Sequence, residues 1–378
     1  MKKILILGAG VMQVPVIQKV SAMGFIPVVA DYDSNAPGFK YSASNYVTST
    51  LDYEGILEVA QKEQVDGILT TSDAPVRIVA KVAKVLGLNA MSEVTADICT
   101  NKLKQRVLFR ESNIGCPNFE IVHSNNREIQ FDTYPCIVKP IDSSASRGVS
   151  IAHSQSELKS CIDNAFVYSK SDRILVEQFV EGREYSVETF TQHGHTHMIA
   201  ITEKHLLNNG YFVENTHIEP AGVSAEEANL IYIEVLKAIN AVGLDNAPSH
   251  TEVKIWNGKV FIIEMACRLG GDYITSDLVP LSSGVDMLEN LILAAIGQDI
   301  NVTNKLQKFS AVQFVNNFNY NNCKSFIANN SNSIIRYEIE PFENKVIKNS
   351  LDRLGYIIIQ RESRIEIDDT LTLLNKNE

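Results

Sequence analysis

The sequence has no apolar run that approaches the roughly 20 residues of a membrane-spanning helix. It also has no excess of basic residues, because 34 lysines and arginines face 45 aspartates and glutamates, for a net charge of -11. A general nucleic-acid binder needs a basic surface that displaces counterions. The composition therefore predicts a protein that binds neither membranes nor nucleic acid, although it leaves room for a local basic pocket.

Paired cysteines and a leader segment are also missing. The six cysteines are scattered singly, without Cys-x-x-Cys spacing, which is typical of reduced thiols in a cytoplasmic protein. Met1-Lys2-Lys3 runs directly into a short strand and not into a longer apolar region with a cleavage site. We therefore predict a cytoplasmic protein without a signal peptide.

The 378 residues are enough for two or three domains. The first 97 residues alternate short apolar strands with amphipathic helices. Strands are expected at 3–7, 26–30 and 67–70, and helices at 14–23, 55–62 and 75–86. This alternation predicts a doubly wound parallel sheet and hence an α/β domain over residues 1–97.

A glycine-rich turn follows the first strand of this domain. Gly8-Ala9-Gly10, with Asp31 at the end of the second strand, imitates a dinucleotide-binding fingerprint. The third glycine position holds Gln13, which weakens the match. A nicotinamide enzyme is therefore kept as an alternative to a turn that only lets helix and sheet pack closely.

Two glutamates lie on a predicted hairpin. Two β-branched runs flank Asn257-Gly258, a strong turn signal, so Glu252 and Glu264 fall on neighbouring strands among apolar residues. Carboxylate oxygens suit Mg²⁺, and Arg268 offers a planar fork for phosphate or carboxylate oxygens. The segment predicts a Mg-nucleotide site. The alternative is an edge hairpin whose carboxylates point to solvent.

A lysine and a polar loop predict a second place for an anion. Lys139 ends a strand at 135–140, and the loop with Ser143, Ser144, Ser146, Arg147 and Gly148 leads into a strand at 149–152. Small hydroxyl residues and glycine present amides and hydroxyls to an anion. The loop lacks the Gly-Lys-Ser/Thr of a P-loop, so a flexible surface hairpin is the alternative.

Further polar residues suggest a pocket, a hairpin tip and a helix start. Lys204, His205, Glu214, His217 and Glu219 either line a substrate pocket or belong to a solvated loop. Gly270, Gly271 and Asp272 are placed to meet a substrate carboxylate or amine. His193, His195 and His197 are interpreted as a solvated hairpin tip and not as a metal site. Helix starts are expected at Thr100 or Asn101, and at Ser224, which has Glu227 three residues later.

The last part of the chain differs in composition. Beyond about residue 304, asparagine-rich stretches at 316–322 and 329–332 are expected to form turns between short strands at 310–314 and 334–339. The prediction is a small β-rich domain over residues 305–378.

In order and spacing these residues resemble the ATP-grasp superfamily, which includes biotin carboxylase, carbamoyl phosphate synthetase, D-alanine:D-alanine ligase and the L-amino acid ligases. The resemblance rests on Lys102, Lys139, the loop at 143–148, residues 177–184, Glu252, Glu264 and Arg268. It is closest to the L-amino acid ligase and carbamoyl phosphate synthetase-like branch, through Ser-His-Thr-Glu-Val-Lys and Arg-Leu-Gly-Gly-Asp.

The resemblance implies an ATP-grasp fold of α/β and α+β class and a role for each matched residue. The grasp domain would span residues 98–304, with a lid lobe at about 112–182 and a catalytic lobe at about 183–304. ATP would be bound by Lys102, Lys139, Ser143, Ser144, Ser146, Arg147, Gly148, Glu177, Gln178, Phe179, Val180, Glu184 and Arg268. Glu252 and Glu264 would hold Mg²⁺, and Arg268 and Lys139 would act in catalysis. His217, Gly270, Gly271 and Asp272 are substrate candidates.

One position departs from the family pattern. Family members commonly show Glu-x-Asn-x-Arg, with the asparagine as a ligand of a second metal ion, whereas this chain has Ala266 between Glu264 and Arg268. Alanine cannot coordinate a metal. Either a second Mg²⁺ is held by Glu264, phosphates and water, or its occupancy is lower.

The activity implied is that of an ATP-dependent carboxylate-amine ligase that forms an amide through an acyl phosphate and releases ADP and phosphate. The acid would be an amino acid or small carboxylic acid, and the acceptor an amine of an amino acid or amino sugar. The alternatives are a biotin-dependent-type carboxylase, a purine-pathway ligase and the nicotinamide enzyme. A homodimer is a further expectation, because it is common in such relatives.

Overall fold

A computed structural model describes residues 1–142, 147–207 and 210–376. Its strands form three sheets, one parallel and two antiparallel. Short 3₁₀ turns occur at Val11–Gln13, Pro37–Tyr41, Ser331–Ser333 and Ser350–Asp352, and a π-helical turn at Ile274–Leu278. The α/β and α+β class predicted from the sequence is confirmed.

The N-terminal unit is the predicted parallel sheet with helices packed against it. Its strands are β1 (Lys3–Leu7), β2 (Ile26–Asp31), β3 (Ser44–Val47) and β4 (Gly67–Leu69), in the order β3-β2-β1-β4. Its helices are α1 (Val14–Ala22), α2 (Tyr53–Glu63), α3 (Val76–Leu86) and α4 (Glu93–Cys99). Strands β1, β2 and β4 are almost fully buried because helices cover both faces of such a sheet, whereas the edge strand β3 alternates between half-buried and exposed residues.

The glycine-rich turn after β1 is held by hydrogen bonds to other parts of the chain. One Asp31 carboxylate oxygen accepts from the Ala9 amide at 2.7 Å, and the Gly38 amide donates to the Ala9 carbonyl, also at 2.7 Å. A Cβ added at Gly38 would lie 2.8 Å from that carbonyl oxygen. Asp31 therefore holds the turn in place, which accounts for the fingerprint-like spacing without a dinucleotide.

The second sheet is a four-stranded antiparallel layer, here called the lid sheet. It contains β5 (Phe119–His123), β6 (Cys136–Pro140), β7 (Ser150–Ala152) and β8 (Arg173–Gln178), in the order β5-β8-β6-β7. Helix α5 (Lys102–Glu111) leads into it and α6 (Gln155–Tyr168) covers one face. Asn101 caps α5 by accepting from the Lys104 amide, at one of the two predicted cap positions.

The third sheet has eight antiparallel strands and is called the central sheet. Its order is β13-β12-β9-β10-β11-β14-β16-β15. The strands are β9 (Arg183–Gln192), β10 (His195–Leu206), β11 (Glu214–Glu219), β12 (Ala247–Trp256), β13 (Lys259–Ala266), β14 (Phe309–Val315), β15 (Ile334–Ile339) and β16 (Gly355–Arg361). The remaining helices are α7 (Ala225–Val242), α8 (Val279–Ser283), α9 (Met287–Ala295), α10 (Tyr320–Asn330) and α11 (Arg364–Leu374).

Two local predictions on the central sheet hold. Asn257 and Gly258 both have positive φ, 49° and 71°, as the two-residue turn between β12 and β13 requires. The hairpin register places Glu252 directly opposite Glu264. At the start of α7 the Ser224 side chain accepts from the Glu227 amide, and Glu227 reciprocates, so the predicted capping box forms.

The C-terminal segment differs from its prediction in two ways. Strand β14 pairs with β11, so the three C-terminal strands continue the central sheet. The asparagine-rich stretch, predicted as turns, contains helix α10, which buries Tyr320 and Cys323 at helical spacing against that part of the sheet. Burial of these apolar side chains outweighs the poor helix propensity of asparagine.

Across the part of the chain that the structure describes, no single helix is long and apolar enough to cross a membrane. One pair, Ile274–Ser283 with Met287–Ala295, meets the length and hydropathy criterion only when combined, and the two parts are bent by 114°.

Candidate functional site

A cavity of about 390 Å³ lies between the lid sheet and the central sheet. Its walls are β6 and the end of β8 on one side and β9, β10, β12 and β13 on the other. Most of the predicted site residues line it, namely Lys102, Lys139, Glu177, Gln178, Phe179, Val180, Glu184, His217, Glu252, Glu264, Arg268, Gly271 and Asp272. The fold therefore brings into one cleft residues that are up to 170 positions apart in sequence.

The two hairpin glutamates face the cavity, each beside a lysine. Lys204 Nζ lies 2.6 Å from Glu252 Oε1, and Lys102 Nζ lies 2.7 Å from Glu264 Oε1. Burial alone would raise the pKa of Glu252, but Lys204 and His250 lower it well below the usual value. Glu252 is therefore ionised at neutral pH and suits a cation.

These residues fit a magnesium ion that is only partly held by protein. Two carboxylates opposite each other on neighbouring strands are the kind of ligand that Mg²⁺ takes beside substrate phosphates and water. Within the described ranges, no group of three or more His, Cys, Asp or Glu side chains is arranged to hold a metal alone. Ala266 lines the cavity between Glu264 and Arg268 and offers no further ligand.

A buried ion-pair cluster stands where the lid sheet meets α5. Glu177, 2% exposed, accepts from Arg106 Nε at 2.8 Å and lies 2.6 Å from Lys139 Nζ. Burial alone would raise the pKa of Glu177, but the two cations lower it. The cluster carries one net positive charge and fixes Lys139 at the cavity wall. Because the Glu177 side chain is committed here, only its backbone remains for a nucleotide.

Charges alternate along the floor of the cleft. Lys204, which is buried, lies 2.9 Å from Glu184, 2.6 Å from Glu252 and 3.6 Å from Glu214. Lys254 approaches the other oxygen of Glu184 at 3.6 Å. Glu184, Lys204 and Lys254 occupy facing positions on β9, β10 and β12, so strand register holds this row in place.

A buried histidine–glutamate pair supports the metal end of the cleft. His250 Nδ1 lies 2.5 Å from Glu188 Oε1, and its Nε2 lies 3.9 Å from Glu252 Oε1. Burial alone would lower the pKa of His250, but Glu188 raises it to about 9. Gly270 packs against this pair and donates its amide to Glu188 at 3.3 Å. Gly270, predicted to contact substrate, thus lies behind the cavity wall.

Arg268 is held by the N-terminal unit. Its Nε and Nη2 donate to the two carboxylate oxygens of Asp73 at 2.7 and 2.9 Å. Asp73 follows β4 and also lines the cavity. This bidentate pair aims the guanidinium into the cleft next to Glu264.

Three of the five residues predicted to line a substrate pocket do line the cavity, and two do not. Lys204, Glu214 and His217 line the cavity, whereas His205 is half exposed beside Glu203 and Glu219 is buried away from the cavity. At the Glu214 end, Arg353 from the C-terminal segment lies 2.7 Å from Glu214 and 2.8 Å from Asp272. The histidines at 193, 195 and 197 form or flank the exposed β9–β10 hairpin tip, as predicted.

The structure describes part of the predicted anion loop. Ser143, Ser144 and Ser146 fall outside the described residues. Among the described ones, Pro140 and Val149 line the cavity, whereas Arg147 and Gly148 do not. Gly148 has φ 75°, and a Cβ there would lie 2.8 Å from Tyr168, so glycine is needed for the close approach of α6.

Sequence reasoning missed Asp73, Arg106, Glu188, His250 and Arg353. Alternation along β9 could have placed Glu188 on the same face as Glu184, and helical spacing could have placed Arg106 one turn after Lys102. For Asp73 and Arg353 no local signal exists, because their partners are 195 and 139 residues away.

Comparison with known proteins agrees with this geometry. The ATP-grasp domain family matches residues 132–277. The chain is 30% identical to a formate-dependent phosphoribosylglycinamide formyltransferase of Sulfurisphaera tokodaii over 202 residues. The aligned segment covers 50% of each protein. It is 26% identical to an alanine–anticapsin ligase of Bacillus amyloliquefaciens over 266 residues. That alignment covers 63% of this chain and 56% of the ligase. The chain thus spans about half the length of the curated relatives it matches.

The fold likeness extends over the whole chain. The crystal structure of an L-amino acid ligase from Bacillus licheniformis superposes with a TM-score of 0.82 at 20% identity, covering 100% of this chain and 98% of that one. The chain therefore contains an ATP-grasp domain at residues 132–277, within a fold that is similar to that of the L-amino acid ligase over its whole length.

Proposed function

We propose that the protein is an ATP-dependent, ADP-forming ligase that joins a carboxylic acid to an amine through an acyl phosphate. The observation that carries the proposal is the cross-strand pair of Glu252 and Glu264, which shares one cleft with Lys102, Lys139 and Arg268. Carboxylates for a metal and cations for phosphates are the two charge sets that phosphoryl transfer needs.

In this proposal ATP lies with its adenine against residues 177–180 and its phosphates toward Lys102 and Lys139. Gln178, Phe179 and Val180 supply an apolar and backbone wall at the end of β8. Glu184 would accept from the ribose hydroxyls. Magnesium, bound by Glu252 and Glu264, would neutralise phosphate charge.

The chemistry follows from charge. A carboxylate is a poor electrophile until one oxygen becomes part of a leaving group, so the acid takes the γ-phosphoryl group of ATP and ADP is released. The amine nitrogen then bonds to the acyl carbon, phosphate leaves with its electron pair, and one proton is lost from nitrogen. Lys139 and Arg268 stabilise the negative charge on the transferring group, and the closed cleft excludes water that would hydrolyse the acyl phosphate.

The acid in this proposal is an amino acid or small carboxylic acid, as for the ligases of the amino acid branch. A second candidate is a purine-pathway ligase, favoured by the relative named as a formate-dependent phosphoribosylglycinamide formyltransferase. In that case the acid would be formate and the acceptor amine would carry a phosphate. A cytoplasmic location and a homodimer stay predictions.

The test is ADP release by the full chain with ATP and Mg²⁺ against a panel of acids and amines, singly and in pairs. Release that depends on one acid and one amine together would support the ligase and identify both substrates. Glu264→Gln should abolish release, whereas Glu120→Gln, an exposed carboxylate on β5, should not. Equal release from Glu264→Gln and the wild type would refute the proposal.

A further inference from the structure

Arg106 lies behind the wall of the cleft, one turn after Lys102 on α5. It is 1% exposed and does not line the cavity, whereas Glu177 and Lys139 beside it do. Burial of a guanidinium to this extent is costly unless acceptor groups compensate for the lost water. The charge of Arg106 must therefore be balanced by the groups that it contacts.

Those contacts join the lid sheet to the central sheet. Arg106 Nε donates to Glu177 Oε1 on β8 at 2.8 Å, and its Nη2 donates to Glu177 Oε2 at 3.3 Å. The same Nη2 donates to the carbonyl of Ile263 on β13 at 2.5 Å. Glu264, one of the two glutamates proposed to bind Mg²⁺, is the next residue of β13. Arg106 therefore holds the strand that ends at the proposed adenine site against a strand of the proposed metal site.

Both oxygens of Glu177 interact with cations. Oε1 accepts from Arg106 Nε, and Oε2 lies 2.6 Å from Lys139 Nζ as well as 3.3 Å from Arg106 Nη2. One carboxylate thus meets two cations, which leaves the group of Arg106, Lys139 and Glu177 with one net positive charge. Because Lys139 lines the cavity and Arg106 does not, an entering phosphate meets that charge at Lys139.

Without Arg106 this net charge would be lost. Lys139 would then be the cation that balances the buried Glu177 carboxylate, and the pair would be neutral. A phosphate at the cavity wall would have to draw Lys139 away from Glu177, which would leave a buried carboxylate unpaired. Arg106 prevents this conflict because it can balance Glu177 through two charge-assisted hydrogen bonds.

We propose that Arg106 is a positioning residue that makes the charge of Lys139 available to a nucleotide phosphate. It acts through Glu177 and touches no substrate itself. The inference rests on the proposed ATP-dependent function, in which Lys139 contacts the phosphates. It adds that nucleotide affinity depends on a buried arginine outside the cavity, and that this dependence comes from charge and not from the shape of the cavity wall.

The first experiment measures ADP binding to the full chain by calorimetry in the presence of Mg²⁺. Arg106→Gln keeps an amide donor for Glu177 and the Ile263 carbonyl but removes the charge, so we expect the ADP Kd to rise at least tenfold. Arg106→Lys keeps the charge and should restore part of the affinity. The matched control is Arg110→Gln, one turn further along α5, where an exposed guanidinium stacks on Phe119. Its Kd should stay within about twofold of the wild type.

A double variant separates charge from shape. Arg106→Gln combined with Glu177→Gln removes one charge of each sign, so the group again carries one net positive charge, now on Lys139 alone. We expect it to bind ADP within about threefold of the wild type, although it lacks the bidentate ion pair and the charged donor to Ile263. If the double variant binds ADP as weakly as Arg106→Gln does, Arg106 acts through shape and the inference is wrong.

The outcomes distinguish the inference from the proposed function. No ADP binding by the wild type would refute the nucleotide site and the inference with it. Binding by the wild type that Arg106→Gln leaves within about threefold would refute the inference alone. If Arg106→Gln shows no cooperative thermal unfolding, the double variant decides. Its Kd within about threefold of the wild type would then support the inference, and a larger loss would overturn it.

Discussion

Arg268 is fixed in direction before any substrate arrives. A guanidinium that donates twice to one carboxylate has little freedom to rotate, and Asp73 provides that carboxylate from a different unit of the fold. Burial alone would raise the pKa of Asp73, but Arg268 lowers it, so the pair is ionised at neutral pH. The third guanidinium nitrogen of Arg268, Nη1, donates to the Leu269 carbonyl.

Replacing this arginine tests its proposed catalytic role. Arg268→Lys keeps the charge but loses the planar fork, so we expect ADP release to fall about 10²-fold or more. The control, Arg336→Lys, alters an arginine that pairs with Asp277 outside the cavity and should change the rate less than threefold. Steady-state ADP-release kinetics of both variants provide the measurement. A rate for Arg268→Lys equal to that of the control would contradict the assignment.

Glu219 is a second residue whose environment is unusual. Its side chain is buried, pairs with no cation among the described residues, and accepts from Thr202 at 2.7 Å and Ser282 at 3.2 Å. Burial raises its pKa from 4.5 to about 8. The folded protein therefore keeps Glu219 protonated at neutral pH, whereas the unfolded chain ionises it.

This difference makes stability depend on pH. Between about pH 4.5 and 8 the folded state binds a proton that the unfolded state has lost, so this residue makes the free energy of unfolding decrease as pH rises. The slope is at most about 1.4 kcal/mol per pH unit, and the contribution is flat above pH 8. Glu219→Gln should remove this slope, and the variant should gain stability over the wild type as pH rises. Urea unfolding at pH 5.5, 7 and 8.5 measures it.

The exposed Glu338→Gln serves as the control for that series. Its stability should follow the wild-type pH curve. If the free energy of unfolding of Glu219→Gln also follows the wild-type pH dependence, Glu219 is ionised in the folded protein and the predicted slope is wrong.

The turn that follows β13 contains two adjacent glycines with different surroundings. A Cβ at Gly270 would lie 2.7 Å from both Glu188 Oε1 and His250 Nδ1, whereas one at Gly271 would meet nothing within 4 Å. Neither glycine has a positive φ, so backbone strain does not distinguish them. The buried histidine–glutamate pair is thus what demands glycine at the first position.

Alanine at each position tests this. Gly270→Ala should lower the free energy of unfolding by about 1–3 kcal/mol, because the added methyl group pushes apart a buried ion pair. Gly271→Ala should change it by less than about 0.5 kcal/mol. Chemical unfolding of both variants measures the difference. Equal losses would show that the His250–Glu188 contact does not restrict this turn.

Local elements were predictable where short-range physics decides them. Asn257-Gly258 fixes a two-residue turn, and the turn fixes the register that sets Glu252 opposite Glu264. The Ser224 capping box is equally local. Helix α10 was missed because its asparagines have little helix propensity, whereas Tyr320 and Cys323 stabilise it by packing in one cluster with the central sheet.

The candidate site was also predictable only where its residues lie on the same strand or helix. Residues that share a strand or helix could be grouped from their spacing, and the family resemblance assigned them roles. The Asp73–Arg268 and Arg353–Glu214 pairs join different units, so nothing in the local sequence indicates them. Such contacts depend on how the three sheets are assembled.

The central sheet makes the C-terminal segment part of the fold of the grasp domain. Strand β14 pairs with β11, and Ile218 of β11 packs in one cluster with Ala311, Ile357 and Ile367. Without this segment, β11 would become an edge with unpaired backbone groups and an exposed apolar face. We therefore propose that the segments on the two sides of the predicted boundary at 304 fold together.

Truncation tests this at the level of the whole chain. A chain that ends at residue 304 should be insoluble or lack cooperative thermal unfolding, whereas one that ends at residue 376 should unfold like the full protein. Circular dichroism during heating, with gel filtration, measures both. A soluble 1–304 chain with a sharp transition would show that residues 305–378 form a separate domain.

The ion-pair group around Arg353 draws its three members from distant parts of the chain. Glu214, Asp272 and Arg353 come from β11, from the turn after β13 and from the residues before β16. A genetic crossover between the codons for Asp272 and Arg353 would join halves with different histories and leave charges unmatched. A C-terminal segment exchanged from a related chain should therefore fold with this one only if it keeps an arginine at position 353.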